Sequence, residues 1–531
     1  MHLNTAFLKL PLRAEGEDPS LLVKTFVDVA HLFTVLSNDD HQVLYGRRGT
    51  GKTHALKYLV EYTRSRRQVS LYVDMRTIGS SGGLYSDDTA PLSERATRLL
   101  MDTLLAIHDQ LATFALGDSD LAQAAQPELL PRLDALAEVA TEVRVAGTVE
   151  QHVAASESAS EKASGSASLD TTGKLTMAAG TDVSQAASVE RRRTEKGQEV
   201  HRVHFGSASK RLADVVAALP GARLWLMLDE WSVIPRDLQP YLADFLRRCM
   251  LPVKGMTVKI GAIEQRSWFR LGTNTGDYVG LELGADISAN LDLDDFMVFN
   301  NDPERAKAFL RDLLFRHVRA IYASEGNEAR APRTADELVS LAFTQVNAFA
   351  EYVRASEGVP RDAVNILGLA AQKAFEEKIS VQHVRSAARA WYQRDKLRAV
   401  NANESAADLL TWIISEVIGN RHARAFLLEQ GRDHQLIGTL YDARVLHVLK
   451  RGVHGGDIAG VRFNVYALDY GCYVDLATTS NAPRGLFAVL EEDGTERFVE
   501  VPQDDYRSIR RAILDLAAFE RYLGERTRGG R

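Results

Sequence analysis

Gly46-Arg47-Arg48-Gly49-Thr50-Gly51-Lys52-Thr53 follows the pattern G-x-x-x-x-G-K-T. Residues of these types at this spacing suit one kind of chemistry, the holding of phosphates. The glycines let backbone N–H groups curl around an anion with no Cβ in the way. A helix starting at Lys52 would add the partial positive charge of its N-terminus. The Lys52 ammonium would reach the β- and γ-phosphates of a nucleotide, and the Thr53 hydroxyl would be a ligand of Mg²⁺. Far downstream, Leu224-Trp225-Leu226-Met227-Leu228 runs into Asp229-Glu230. There Asp229 would hold Mg²⁺ through water, and Glu230 would polarise the water that attacks the γ-phosphate. Asp-Glu after an apolar run is common by itself. With the loop upstream, the two read as Walker A and Walker B.

The flanking residues read as the elements such a site needs. Val43-Leu44-Tyr45 is an apolar strand running into the loop, and His54 to Val60 a helix running out of it. Val69 to Asp74 is a second β-rich run, and Pro91 to Leu116 a long amphipathic helix. The run ending at Asp229 is continuously apolar, as a strand buried on both faces should be. Val258 to Ile263 is the next buried strand and ends in Glu264-Gln265-Arg266. A lead-in, Leu21 to Ala30, has helical apolar spacing and a position that would pass near a base. These elements predict an α/β fold, a three-layer αβα domain over residues 1–300.

Within that domain, residues 117–205 read as an insertion. Of the 40 residues from 151 to 190, 24 are Ser, Ala, Gly or Thr and none is aromatic, so this segment can bury little apolar surface. A flexible loop and an extended β-hairpin held by a partner are the alternatives, and Val143, Val145 and Val149 alternate as a strand start would. Arg191-Arg192-Arg193 is either a solvated charge run or a phosphate contact. From Pro303 the pattern is helical to about residue 395, which predicts a helical lid over 301–398. Residues 399–531 read as helix, helix and β-ribbon: Ala406 to Leu428, His434 to Leu449, then Gly460 to Leu468 paired with Tyr473 to Leu476. That order predicts a winged-helix-like domain. Arg444, Lys450 and Arg451 on or after its second helix are candidate contacts to double-stranded DNA. Between 401 and 455 the six basic residues are balanced by six acidic ones, so protein docking competes with DNA binding there.

Composition sets the frame. The chain has 531 residues, which is room for about three domains. Hydrophobic content of 45% and charged content of 25% are those of an ordinary globular chain. No apolar run reaches the length of a membrane span, and the N-terminus lacks the regions of a signal peptide, so a cytoplasmic protein is expected. Cys249 and Cys472 lie far apart without metal-type spacing and read as buried thiols in a reducing compartment. The net charge of −7 argues against a protein coated in nucleic acid but leaves room for a local basic site.

On Gly46 to Thr53, Leu228-Asp229-Glu230 and Gly358-Val359-Pro360-Arg361, followed by a winged-helix-like end, the chain resembles the AAA+ ATPases of the origin-recognition and initiator type, and in particular their bacterial look-alikes. That resemblance implies an ATP-binding and ATP-hydrolysing switch or motor with ATP and Mg²⁺ as cofactors, acting on or near DNA. In the bacterial look-alikes it implies phage-defence or mobile-element roles. It also implies a polar γ-phosphate sensor at the end of the fourth strand, Gln265 or Glu264, and a lid arginine, Arg361, that touches the γ-phosphate. Arg266 and Arg270 would face either a neighbouring subunit's nucleotide or solvent. The competing class is a signalling or scaffold ATPase in which nucleotide-driven self-association recruits a separate effector protein.

Overall fold

The computed structural model describes residues 2–140, 204–294, 302–477 and 513–529, apart from positions 15, 30 and gaps within 79–88, 273–277, 421–424, 431–433 and 455–460. It also describes the strand segments 143–146, 198–201, 489–490 and 496–497. The stretch 151–190 and the cluster 191–193 lie outside the described residues.

The central sheet has five strands: β1 (Gln42–Tyr45), β2 (Val69–Asp74), β5 (Leu224–Asp229), β6 (Met256–Ala262) and β9 (Ser288–Asp292). Their order is β2-β5-β6-β1-β9, and every pairing is parallel. The phosphate-loop strand β1 is thus separated from the Walker B strand β5 by one extra strand, β6. Parallel strands need covered faces, and the side chains of β5 show both coverings. Leu224, Leu226 and Leu228 pack with helices Leu92–Ala115, Asp120–Ala140 and Phe205–Ala218. Trp225 and Met227 point the other way, into a core shared with Lys52–Ser65 and with the lid helices. The edge strand β9 was not expected. Its sequence, Ser-Ala-Asn-Leu-Asp, has no apolar run to reveal it.

Of the residues expected as an insertion, Asp120–Ala140 is a helix packed in the sheet's core, and beyond it β3 (Val143–Ala146) pairs antiparallel with β4 (Gln198–His201). A short hairpin of β7 (Arg270–Gly272) and β8 (Tyr278–Gly280) follows β6. The lid consists of helices Pro303–Ser324, Ala335–Ala342, Val346–Ala355, Pro360–Ala374 and Val381–Trp391. The N-terminal helix Leu3–Leu8 is tied to it, with Asn4 Nδ2 donating to the carbonyls of Phe375 (2.6 Å) and Glu377 (2.9 Å).

The C-terminal part departs from the sequence reading in three places. The first helix, expected to Leu428, ends by Asn420, and its apolar continuation Ala425–Glu429 is a strand. The second helix spans only Gln435–Asp442. Arg444 adopts a left-handed conformation (φ 58°), and the apolar run after it becomes a strand. A run such as Val445-Leu446-His447-Val448-Leu449 fits a buried helix or a strand equally well by pattern. The ribbon is therefore β11 (Leu446–His454) with β12 (Arg462–Leu468), completed by β10 (Ala425–Glu429) in the order β10-β12-β11. Tyr473 to Leu476, expected as a strand, lies in the helix Tyr470–Ala477.

Candidate nucleotide site

The loop between β1 and helix Lys52–Ser65 is built as its glycines require. Gly49 and Gly51 have φ of 86° and 100°, which side chains rarely adopt. At Gly49 a Cβ would also stand 2.6 Å from the Cβ of Arg361. The lid helix therefore sits directly on the loop, and the Arg361 N–H donates to the Gly49 carbonyl at 3.2 Å.

Lys52 Nζ donates to the carbonyls of Gly46 (2.7 Å) and Arg47 (3.0 Å). An ammonium carries three hydrogens, so one remains for an anion at the loop. Burial lowers the Lys52 pKa, while Asp229 and Glu230 work to keep the charge. Thr53 Oγ1 donates to Asp229 Oδ2 at 2.6 Å, and Tyr72 on β2 donates to the same oxygen at 2.6 Å. Burial and the Asp229 carboxylate push the Tyr72 hydroxyl far up, so it stays a donor. Asp229 Oδ1 accepts the Glu230 N–H at 2.8 Å. Thr53 and Asp229 thus place two hard oxygens together beside the loop. That set fits Mg²⁺, which takes few protein ligands and completes its shell with phosphate and water. Glu230 has φ 58° and ψ 36°, an uncommon conformation for a non-glycine residue and a strain of about 1–3 kcal/mol. The turn brings it to the wall of the cavity in front of the loop.

That cavity has a volume of about 330 Å³ and is lined by Arg48, Gly49, Gly51, Lys52, Thr53, Glu230 and Arg361 at one end. The other end is more apolar, with Leu12, Leu21, Leu22, Leu313 and Val364. A charged end and an apolar end in one cleft match a nucleotide's phosphates and base. Four lining residues carried no signal in the sequence. Arg13 and Arg76 are cations in unpatterned stretches, and His54 and His317 sit singly on helices.

Several sequence expectations lie elsewhere. Gly46, Arg47 and Thr50 shape the loop but do not line the cavity. Arg47 is 1% exposed and faces away, its Nε 2.8 Å from Asp294 Oδ1. Gln265, on the turn after β6, is outside the lining: its carbonyl accepts from Arg236 at 2.9 Å, and its Oε1 has no partner among the described residues. Glu264 pairs with Arg451 at 2.7 Å, and Arg266 with Asp442 at 3.1 Å. The basic face expected for DNA is not assembled. Arg444 is 6% exposed and pairs with Asp362 (3.1 Å) and Asp395. Arg451 bridges Glu264 and Asp292, the latter at 2.8 Å. Of the three, only Lys450 is exposed. The count of charges in the sequence could not show that two of these cations are spent on internal carboxylates.

Sheet order, loop and cavity together define an α/β P-loop protein of the AAA+ class. Residues 11–71 match the model of the ORC-CDC6-like family. That segment holds the lead-in, β1 and the whole loop. Among solved structures, that of the Aeropyrum pernix Orc1 protein in complex with DNA is similar, with a TM-score of 0.32 and 14% identity over 85% of this chain and 93% of that one. So distant a likeness has no bearing on the site. No curated protein matches the chain. Among the described residues no helix is long and apolar enough to cross a membrane.

Proposed function

We propose that the cavity binds Mg-ATP and that the chain hydrolyses it as a switch. The observation that carries this reading is the meeting of Lys52, Thr53, Glu230 and Arg361 around one cleft. The third Lys52 hydrogen and the first N–H groups of helix Lys52–Ser65 would hold the phosphates. Bound Mg²⁺ would supply charge neutralisation on the phosphate oxygens. Glu230 would take the proton of the attacking water, and Arg361 would balance charge on the γ-phosphate from the lid. Steady-state ATP turnover with Glu230→Gln tests this. The variant should bind ATP as the parent does and hydrolyse it at least about a hundredfold more slowly. Equal turnover would remove Glu230 from the chemistry.

Two partner classes stand behind the switch, duplex DNA and a protein effector or second copy. The engagement of Arg444 and Arg451 by internal carboxylates favours the protein reading for the C-terminal domain. Binding of a fluorescent duplex at low salt with ATP separates them, because phosphate contacts weaken steeply as salt rises. Salt-sensitive binding would return the assignment to DNA, through cations other than these two.

A further inference from the structure

The apolar end of the cavity presents hydrogen-bond acceptors. His317, on helix Pro303–Ser324, has Nδ1 2.9 Å from the Leu313 carbonyl oxygen. A carbonyl only accepts, so Nδ1 carries the hydrogen and Nε2 is a bare lone pair. Burial lowers this histidine to about 4, so it is neutral near pH 7. The ring is 9% exposed and lines the cavity, and no group among the described residues bonds to Nε2. His54, on the same cavity, is fixed the opposite way, with Nε2 2.9 Å from the Leu22 carbonyl and Nδ1 left as the acceptor. Thr25 Oγ1 donates its only hydrogen to the Leu21 carbonyl at 2.7 Å and keeps its lone pairs. The walls around these groups, Leu22, Leu313 and Val364, have no polar side-chain atoms.

We propose that His317 Nε2 reads the base by accepting a hydrogen from the exocyclic amino group of adenine, and so makes the site selective for adenine over guanine nucleotides. This rests on the reading of the cavity as a nucleotide site. Adenine carries an amino donor at the position where guanine carries a carbonyl acceptor. Guanine placed the same way would set its oxygen lone pairs against that of Nε2, leaving both buried acceptors unpaired. His54 and Thr25 add no donor beside His317; the donors on the lining are the exposed Arg13 and the cations of the loop and lid.

Calorimetric titration of the parent with ATP, GTP and purine riboside triphosphate, which lacks the amino group, tests the proposal. ATP should bind about tenfold or more tighter than either of the others. His317→Leu should bring the three within about threefold of one another. His317→Gln, whose amide oxygen can accept, should recover part of the preference for ATP. Equal binding of ATP and purine riboside triphosphate by the parent would overturn the proposal and leave the nucleotide site standing. So would a full ATP preference in His317→Leu. Binding of none of the three would remove the nucleotide reading and the base reading together. Because the parent is compared across ligands, the test holds even where His317→Leu folds poorly.

Discussion

Arg47 and Arg48 are neighbours with the same side chain and opposite fates. Arg48 lines the cavity, while Arg47 is buried behind the loop. The lid repeats the pattern one layer away: Arg361 lines the cavity, and Asp362 is fully buried behind it. The wall between the two sides is therefore a single residue step in each chain segment. Behind it runs a buried ionic network. Arg47 bonds Asp294 and donates to His447 Nδ1, and His447 Nε2 donates to Asp469 at 3.1 Å. Lys396 bridges Asp469 (2.5 Å) and Asp362 (2.8 Å), and Arg444 closes on Asp362. Arg47, Lys396 and Arg444 thus meet Asp294, Asp362, Asp469 and, at the exposed edge, Asp395, while the buried Glu357 adds a further negative charge near Arg47 and His447. Burial would raise the Asp362 carboxyl, but Lys396 and Arg444 hold it well below the usual range. At the front of the loop Arg48 and Lys52 line the cavity, whereas at its back Arg47, Lys396 and Arg444 are engaged by buried carboxylates. The same residue type thus lines the cavity on one side and on the other joins the loop to the segments that carry Asp294 and His447.

The largest effect should come from opening the sealed side. Lys396→Ala leaves Asp362 and Asp469 buried without their shared cation. We expect a stability loss of about 3–5 kcal/mol, read as a lower urea midpoint. A midpoint unchanged from the parent would mean the network is wet and weak. Lys396→Met, which keeps the volume, should be no milder, because the loss is of charge and not of packing.

Acid should act on the two sides differently. His317, on the cavity side, is lowered from 6.5 to about 4 by burial. Its folded pKa lies below its unfolded one, so its contribution is complete above pH 6.5 and is lost as pH falls toward 4. The shift corresponds to about 3 kcal/mol at most. The carboxylates of the sealed side are held below their ordinary values and stay ionised across that window. Urea midpoints from pH 7 to 4 should therefore fall, and fall less in His317→Leu. Parallel curves for the two proteins would place the acid sensitivity elsewhere, His54 and His447 being lowered by burial as well.

On the cavity side, Lys52→Ala should weaken ATP binding by roughly a hundredfold, since a charge-assisted bond is lost. Its melting temperature without nucleotide should stay within a few degrees of the parent. A fall in melting temperature as large as that of Lys396→Ala would show that Lys52 belongs to the sealed network instead.

What the sequence disclosed follows the same divide. The loop, β1, β2 and β5 were legible because phosphate binding and two-sided burial each impose a local pattern. Helix Leu92–Ala115 was legible from its period. β9 and the strand β11 were not, since their residues fit more than one element until the sheet they join is known. Among single residues, Lys52, Thr53 and Asp229 followed from spacing. The burial of Arg47 and Arg444 did not, because the partners Asp294 and Asp362 lie far away in sequence and only the folded chain brings them together. His317 carried no pattern, for one histidine on a helix looks the same whether it fills a core or faces a ligand.

The smallest effect is the sharpest test of the divide. Arg48→Ala removes a cation that lines the cavity and forms no ion pair among the described residues, so stability should change by no more than about 0.5 kcal/mol. ATP affinity should fall a few-fold, the share of one cation among several at the phosphate end. The same substitution one residue earlier, Arg47→Ala, leaves Asp294 buried with, among the described residues, the loop N–H (3.0 Å) and the Tyr441 hydroxyl (3.1 Å) as donors. Its loss should be of stability first, on the order of 3 kcal/mol, with affinity falling only as the loop loosens. Paired urea melts and ATP titrations on the two variants decide the matter. If both lost stability, or both lost only affinity, the loop would not have two sides, and the C-terminal domain would be resting on the nucleotide site without being joined to it.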